Sequence, residues 1–207
     1  MKFISKILLI VGFFVFTLPF QFSAAAENNP YEMANTVAGQ TFSEIKANKD
    51  KLSDKAFLNS LIESKLMPYV DVKYAAYKVM GTNLKKTTPK EREEFTEAFG
   101  AYLKRAIADA IGKYTDQELE LSPVKKVADN ENIVSVKFLI KQAGKQDIAM
   151  VLKARKNGKT GEWKVFDLVA ENISILDAKQ AEISPIIHDK GIKEAISALE
   201  KNSQLSK

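Results

Sequence analysis

The feature that most constrains this chain is a change of period. Up to Tyr114 the apolar residues recur at helical spacing. From Glu118 to Ala170 they alternate, and after Ser174 the helical spacing returns. The alternating stretches are "ELELS", "NIVSVKFLI", "DIAMVLKAR" and "EWKVFDLVA". Only short turns separate them, so they predict an antiparallel meander of four strands. "RKNGKTGEW" holds Asn157-Gly158 and Gly161 between two of them, a hairpin signal. Helices, one curled antiparallel sheet, then helices again give an α+β fold. On the strands, Val134, Val136, Phe138 and Ile140 share one face, as do Ile148, Met150 and Leu152. Phe166 and Leu168 alternate against Trp163, Val165 and Asp167.

The helices carry their own punctuation. Asn29, Pro30 and Glu32 open the first, whose inward face is Met33, Ala34, Val37, Ala38, Thr41 and Ile45. A second starts at Ser53, buries Phe57, Leu58, Leu61 and Ile62, and ends before Pro68. "KLMPYVDVKYAAYKVMG" supplies a third, closed by Gly81. Thr88, Pro89 and Glu91 form a capping box for a long fourth helix. Its stripe is Phe95, Phe99, Tyr102, Leu103, Ala106, Ile107, Ala110 and Ile111. Ser174 caps a fifth with Asp177 at N3. Ile173 is expected to staple its start, Leu176, Ile183 and Ile187 to face inward, and Pro185 to kink or split it. A sixth follows Gly191 and buries Ile192, Ala195, Ile196 and Leu199, and the tail "KNSQLSK" is expected to fray. Six helices, or seven if Pro185 splits one, surround the sheet.

The first residues stand apart. Lys2 and Lys6 precede the apolar run "ILLIVGFFVFTLPF", and Ala24-Ala25-Ala26 follows it. This is the pattern of a secretory signal peptide cleaved after Ala26. Residues 1–26 are then the signal and 27–207 a single domain. The chain carries 31 basic and 26 acidic residues. Without Lys2 and Lys6 the balance is 29 against 26, a charge of +3, too small to argue for nucleic acid. The sequence contains no cysteine, which excludes disulfides, thiol nucleophiles and cysteine-based zinc sites. An exported chain without disulfides must rest on its core, and a bacterial periplasm is the expected compartment.

Chemistry is hard to find. His188 is the only histidine, so a histidine metal cluster is excluded and no metal site is expected. The pairs Glu93-Glu94 and Glu118/Glu120 lie on polar faces. No serine sits in a nucleophile elbow, and no glycine-rich loop cradles phosphate. Asp167 lies inside an apolar strand, where a carboxylate needs a lysine or a helix N-terminus as partner. Lys153, Arg155, Lys156 and Lys159 cluster at a hairpin, which reads as a solvated turn or as a docking patch for an acidic partner or anionic headgroups. What remains is apolar surplus. The third helix has Val72, Ala75, Ala76, Val79 and Met80 on one face and Val70, Tyr74 and Tyr77 on another, while Asp71, Lys73 and Lys78 ask for water. A helix apolar on both sides is buried on both, and one side can line a cavity.

"NPYEMA", "LMPYVDVKYAAYKVMG", "TPKEREEFTEAFGAYLKR" and "GEWKVFDLVAENISILDAKQ" together resemble the MlaC family, a phospholipid-binding and toluene-tolerance family, from about Asn29 to Leu199. The most specific matches are Leu66, Pro68, Tyr69 and Val70 leading to Lys73-Tyr74-Ala75 and Gly81, and Trp163 and Asp167 leading to Glu171 and Ser174. Asn172 stands where the family pattern has glycine, a position where asparagine also tolerates the left-handed region. The resemblance implies a twisted four-stranded sheet of the nuclear-transport-factor-2-like (NTF2-like) type, with helices around an apolar lipid cavity. It implies a non-enzymatic periplasmic carrier of phospholipid that maintains outer-membrane lipid asymmetry in a Gram-negative cell. The implied partners are a complex of MlaA with a porin at the outer membrane, and MlaD of an inner-membrane ABC transporter. Phospholipid is the cargo, and no cofactor is implied. On this reading the cavity candidates are Leu66, Val70, Tyr74, Tyr77, Phe99, Tyr102, Leu103, Val136, Phe138, Met150, Leu152, Phe166 and Leu168, with Lys73 as a headgroup contact. The rivals are a small-ligand binder or enzyme on a similar sheet, and an interaction module with a solid core.

Overall fold

The structure is a computed structural model that describes residues 29–204. The signal peptide expected over residues 1–26 lies outside the described residues. Among the described residues there are six α-helices, and none is long and apolar enough to cross a membrane. The order is α1 (Pro30–Ala47), α2 (Lys55–Leu61), α3 (Val72–Met80), α4 (Pro89–Ile111), β1 (Glu118–Leu121), β2 (Ile133–Lys141), β3 (Ile148–Lys156), β4 (Trp163–Ala170), β5 (Ile173–Ser174), α5 (Ile175–Lys190) and α6 (Ile192–Gln204). This is the expected α+β architecture.

The caps form where the sequence put them. Asn29 Oδ1 accepts from the Tyr31 and Glu32 N–H groups. Thr88 Oγ1 accepts from Glu91 N–H, and Glu91 Oε2 accepts from Thr88 N–H and Oγ1–H at 2.8 and 2.9 Å. Two helix starts differ from expectation. Asp54, not Ser53, caps α2, because its carboxylate reaches Ala56 N–H at 2.8 Å. Asp71 is an N-cap rather than a solvated residue, accepting from Tyr74 N–H at 3.0 Å. The chain beyond α2 does not simply stop before Pro68. It widens into a π turn over Ile62–Leu66 and tightens into a 3₁₀ turn over Met67–Tyr69. Pro185 sits inside α5 without ending it. Both Pro185 and Ala181, whose carbonyl loses its usual donor, are exposed to water. At the C-terminus α6 continues through "KNSQ" to Gln204, where fraying was expected; Leu205–Lys207 lie outside the described residues.

The strands form one antiparallel sheet in the order β1-β2-β3-β4-β5. The meander of four is as read, and β5 is an addition. It pairs with the end of β4 through a two-residue turn in which Glu171 and Asn172 both have positive φ, 49° and 65°. Asn172 thus uses the left-handed tolerance expected of it. The other half of the β4 edge is closed by Val70, which bridges Val165, and by Asp71, whose N–H donates to Val165 O at 2.7 Å. The edge is therefore not left open to pair with another chain.

Three apolar clusters hold the fold. The largest joins α3, α4, α5 and α6, with Val79, Met80, Phe95, Ile183 and Leu199 wholly buried. Gly100 brings α4 close to α3, since a Cβ there would lie 3.3 Å from Val72 Cγ1. A second gathers Ile45 of α1, Leu58 and Leu61 of α2, Ile62 and Ile111, with Leu66 packed against it. The third lies between α1 and the sheet: Ala34, Val134, Val136, Ala154 and Trp163.

Candidate functional site

Residues directly opposite on neighbouring strands share a face of the sheet. The register therefore sorts the sheet side chains into rows. Val134, Ala154 and Val165 form one row, and Val136, Leu152 and Leu168 the next. The row after that crosses the whole sheet: Leu121, Phe138, Met150, Ala170 and Ile173. Leu119, Ile140 and Ile148 follow. Every one of these side chains is apolar, and all are on one face.

Burial is deepest at one end of that face. Val134, Val136 and Ala154 are covered, at 3%, 0% and 0% exposure. Leu152 and Leu168 are half-buried, as are Phe138, Met150 and Ala170. Leu121 and Ile173, at the two edges, are 38% and 62% exposed. Ile173 is thus not the hydrophobic staple of α5; it extends the open row. Helix α1 covers the first rows and runs along β1. Asn35 Nδ2 donates to Ser122 O at 2.8 Å, and a Cβ at Gly39 would lie 3.8 Å from Leu121 Cδ1. The face is a continuous apolar surface, roofed by α1 at one end, half-buried beyond it and exposed at Leu121 and Ile173 on the two edges.

The opposite face is mixed, with Leu139, Val151 and Val169 beside a set of paired charges. A register shift in β4 between its pairings with Lys153 and Ala154 leaves Phe166 without a partner opposite. The shift breaks the expected alternation. Leu168 joins the apolar rows, whereas Phe166 packs into the helical cluster and meets Tyr74 edge-on at 5.1 Å. Asp167, opposite Lys153, is carried to the same side. Its partners are both of those the sequence called for: Lys153 Nζ at 2.9 Å, and the start of α5 through Leu176 N–H at 3.1 Å and Ser174 Oγ–H at 2.8 Å. Arg155 stacks on Tyr74 at 4.2 Å and donates to Asp71 Oδ2 at 2.6 Å. Half of the basic hairpin cluster is therefore tied to buried or half-buried carboxylates rather than free at a turn. Lys156 and Lys159 flank the turn itself, where Asn157 Oδ1 accepts from Lys159 N–H.

The sequence candidates fall into three groups. Val136, Phe138, Met150, Leu152 and Leu168 lie together on the apolar face. Tyr77, Phe99, Tyr102, Leu103 and Phe166 belong to the helical cluster, with Tyr74 against Phe166. Leu66 packs into the α2 cluster, and Val70 is bound to the β4 edge. Lys73 is exposed on α3, its ammonium 5.7 Å from the Tyr77 ring. The face also recruits residues that sequence reasoning passed over. Leu121, Ala170 and Ile173 join it only through register. Lys179 is another omission, buried with its ammonium 4.2 Å over Tyr102. His188 is exposed and pairs with Asp189. Among the described residues, no group of three His, Cys, Asp or Glu side chains could hold a metal ion.

The family model for the MlaC protein matches residues 35–201. The chain belongs to the MlaC family. It is 33% identical over 183 residues to the intermembrane phospholipid transport system binding protein MlaC of Haemophilus influenzae, covering 87% of this chain and 85% of that protein. Its fold matches that of a phospholipid-binding protein from Ralstonia solanacearum, solved in complex with a phospholipid, with a TM-score of 0.74. That match spans 85% of this chain and 97% of the other at 18% identity, so the two folds agree where the sequences have diverged.

Proposed function

We propose that this MlaC-family chain is a phospholipid carrier that moves lipid between membranes. The observation that carries the reading is the five-strand row from Leu121 to Ile173, apolar throughout, half-buried at its centre and exposed at both edges, continuous with rows that α1 roofs over. The names of the Haemophilus influenzae and Ralstonia solanacearum proteins support it.

The physics sets what such a carrier must do. Burying a methylene is worth about 0.8 kcal/mol, and two acyl chains hold about 30 of them. Lifting a phospholipid into water therefore costs on the order of 20 kcal/mol. Free transfer is too slow, so the carrier must replace the bilayer with an apolar surface and exchange its cargo while docked. The open rows supply such a surface.

The finer reading follows the family. The chain is exported by its N-terminal signal, works in the periplasm without catalysing a reaction, and meets MlaA with a porin at one membrane and MlaD at the other. Of the thirteen cavity candidates, we assign to acyl contact the four half-buried ones on the apolar face, Phe138, Met150, Leu152 and Leu168. Native mass spectrometry of protein purified from the periplasm, with organic extraction, tests the reading. Masses of two-chain phospholipids are expected. An apo mass unchanged after incubation with vesicles would favour the solid-core interaction module instead.

A further inference from the structure

The turn that carries Ile173 holds a residue that turn chemistry disfavours. Glu171 and Asn172 are both left-handed, at φ 49° and 65°, as a two-residue hairpin turn of this hand requires. Asparagine, aspartate and glycine suit such positions, and glutamate does not. Something must hold Glu171 there.

The ladder between β3 and β4 shows what does. Its last regular pair is Met150 with Ala170. One residue on, Glu171 N–H donates to Ala149 O at 3.0 Å. A continuing antiparallel ladder would return the Ala149 N–H to the Glu171 carbonyl. The carboxylate takes that N–H instead, with Oε1 at 2.7 Å. Glu171 thus supplies both halves of the final rung, one from its main chain and one from its side chain. Its carbonyl is released, and the chain turns into β5, a strand of two residues that pairs Ile173 with Ala170. So short a strand has little of its own to fix it. Ser174 Oγ–H on Asp167 secures its far end, and the rung at Ala149 secures the near one. Between these two ties Ile173 stands 62% exposed, at the end of the five-strand row.

We propose that Glu171 is a positioning residue for cargo: its carboxylate fixes the turn so that Ile173 forms the outermost contact for an acyl chain lying on the row. The inference rests on the carrier reading and adds to it a residue that acts without touching the lipid.

Full-length protein is loaded with dipalmitoyl phosphatidylethanolamine and mixed with vesicles of dioleoyl phosphatidylcholine, with no other protein present. Lipid release is followed by native mass spectrometry, and exchange of the Ala149 amide by NMR. Glu171→Gly removes the carboxylate and leaves a residue at ease in the left-handed region, so the turn still forms. Its Ala149 amide should exchange about 3–10-fold faster, the worth of one solvent-screened hydrogen bond, and its lipid should leave about threefold faster. Ile173→Ser should speed release about tenfold, the lower end of what covering an isoleucine is worth, with Ala149 exchange unchanged. Glu171→Gln, whose amide oxygen still accepts, should behave as wild type in both readouts. The double variant Glu171→Gly, Ile173→Ser should release no faster than Ile173→Ser alone, because one acts through the other. The proposal falls if Glu171→Gly speeds exchange and leaves release unchanged, if Ile173→Ser releases as wild type does, or if the two effects on release add. In each of those cases the carrier reading stands. Wild-type protein that takes up no lipid would sink both.

Discussion

Asp167 is the residue whose role can be separated most sharply by experiment. Its side chain is 1% exposed, and it holds Ser174 Oγ, Leu176 N–H and Lys153 Nζ at once. Replacing it with alanine orphans the start of α5 and leaves Lys153 without its partner. Two hydrogen bonds to a charged acceptor are worth about 1.5–3 kcal/mol each. Breaking one side of a buried pair costs about 3–5 kcal/mol, so we take about 4 kcal/mol for Asp167→Ala. Asp167→Asn can still accept from Leu176 N–H, and Ser174 can turn to accept from the amide. Lys153 alone meets a donor it cannot use, so the cost is about 2 kcal/mol. Lys153 is a third exposed, and water screens it, so Lys153→Met should cost only about 1 kcal/mol. With a urea slope of roughly 2 kcal/mol/M, the midpoints should fall by about 2, 1 and 0.5 M. Urea titrations followed by far-UV circular dichroism measure this directly. A midpoint drop for Asp167→Asn below about 0.3 M would refute the buried-pair account. So would a larger loss for Lys153→Met than for Asp167→Ala.

Three further outcomes are expected. Met150→Glu places a carboxylate in the middle of the open row; the lipid-to-protein ratio after purification should drop at least roughly tenfold, while the half-buried site keeps the stability loss near 1 kcal/mol. Unchanged lipid content would remove Met150 from the cargo surface. The Glu91 carboxyl is held below its usual range, first by the Thr88 N–H and then by the Thr88 hydroxyl. A depressed acid contributes stability above its unfolded value, and that contribution is lost as pH falls through the folded one. Stability curves of wild type and Glu91→Gln should therefore lie apart near neutral pH and converge in acid below the ordinary carboxylate value of 4.5; parallel curves would contradict the capping box. Gly81 ends α3 at φ 56°, and a Cβ there would sit 2.7 Å from Gln180 Nε2. Gly81→Ala should cost about 1–3 kcal/mol by thermal melting, and a neutral result would mean that α5 yields at Gln180.

What was legible in the sequence was local. Asn29, Thr88 and Ser174 announce helix starts because a cap needs only the next three residues. The alternation of Val134, Val136 and Phe138 reports a face because the strand period is two. The change of period carried the α+β class, and the resemblance to the MlaC family, in "LMPYVDVKYAAYKVMG" and "GEWKVFDLVAENISILDAKQ", carried the carrier reading. What failed to show depends on register or on distant partners. Phe166 and Leu168 look like one face until the shift opposite Lys153 separates them. Asp71 looks solvated because Arg155, its partner, is 84 residues away. The strand at Ile173–Ser174 is too short to show a period, and only the left-handed turn at Glu171-Asn172 hints at it.

The shift at Phe166 has a mechanical consequence. Without the extra residue, β4 would send Phe166 and Leu168 to the same side, and the helical bundle and the apolar sheet face would share one lining. With it, the strand is anchored on one side by Phe166 among the helices and by Asp167 at the head of α5, while Leu168 is free to face whatever arrives on the other. Wetting and drying of the open rows then act on a wall that is bolted from behind. On the proposed carrier reading, cargo can leave and enter the open rows while Phe166 and Asp167 keep β4 fixed to the helices behind it.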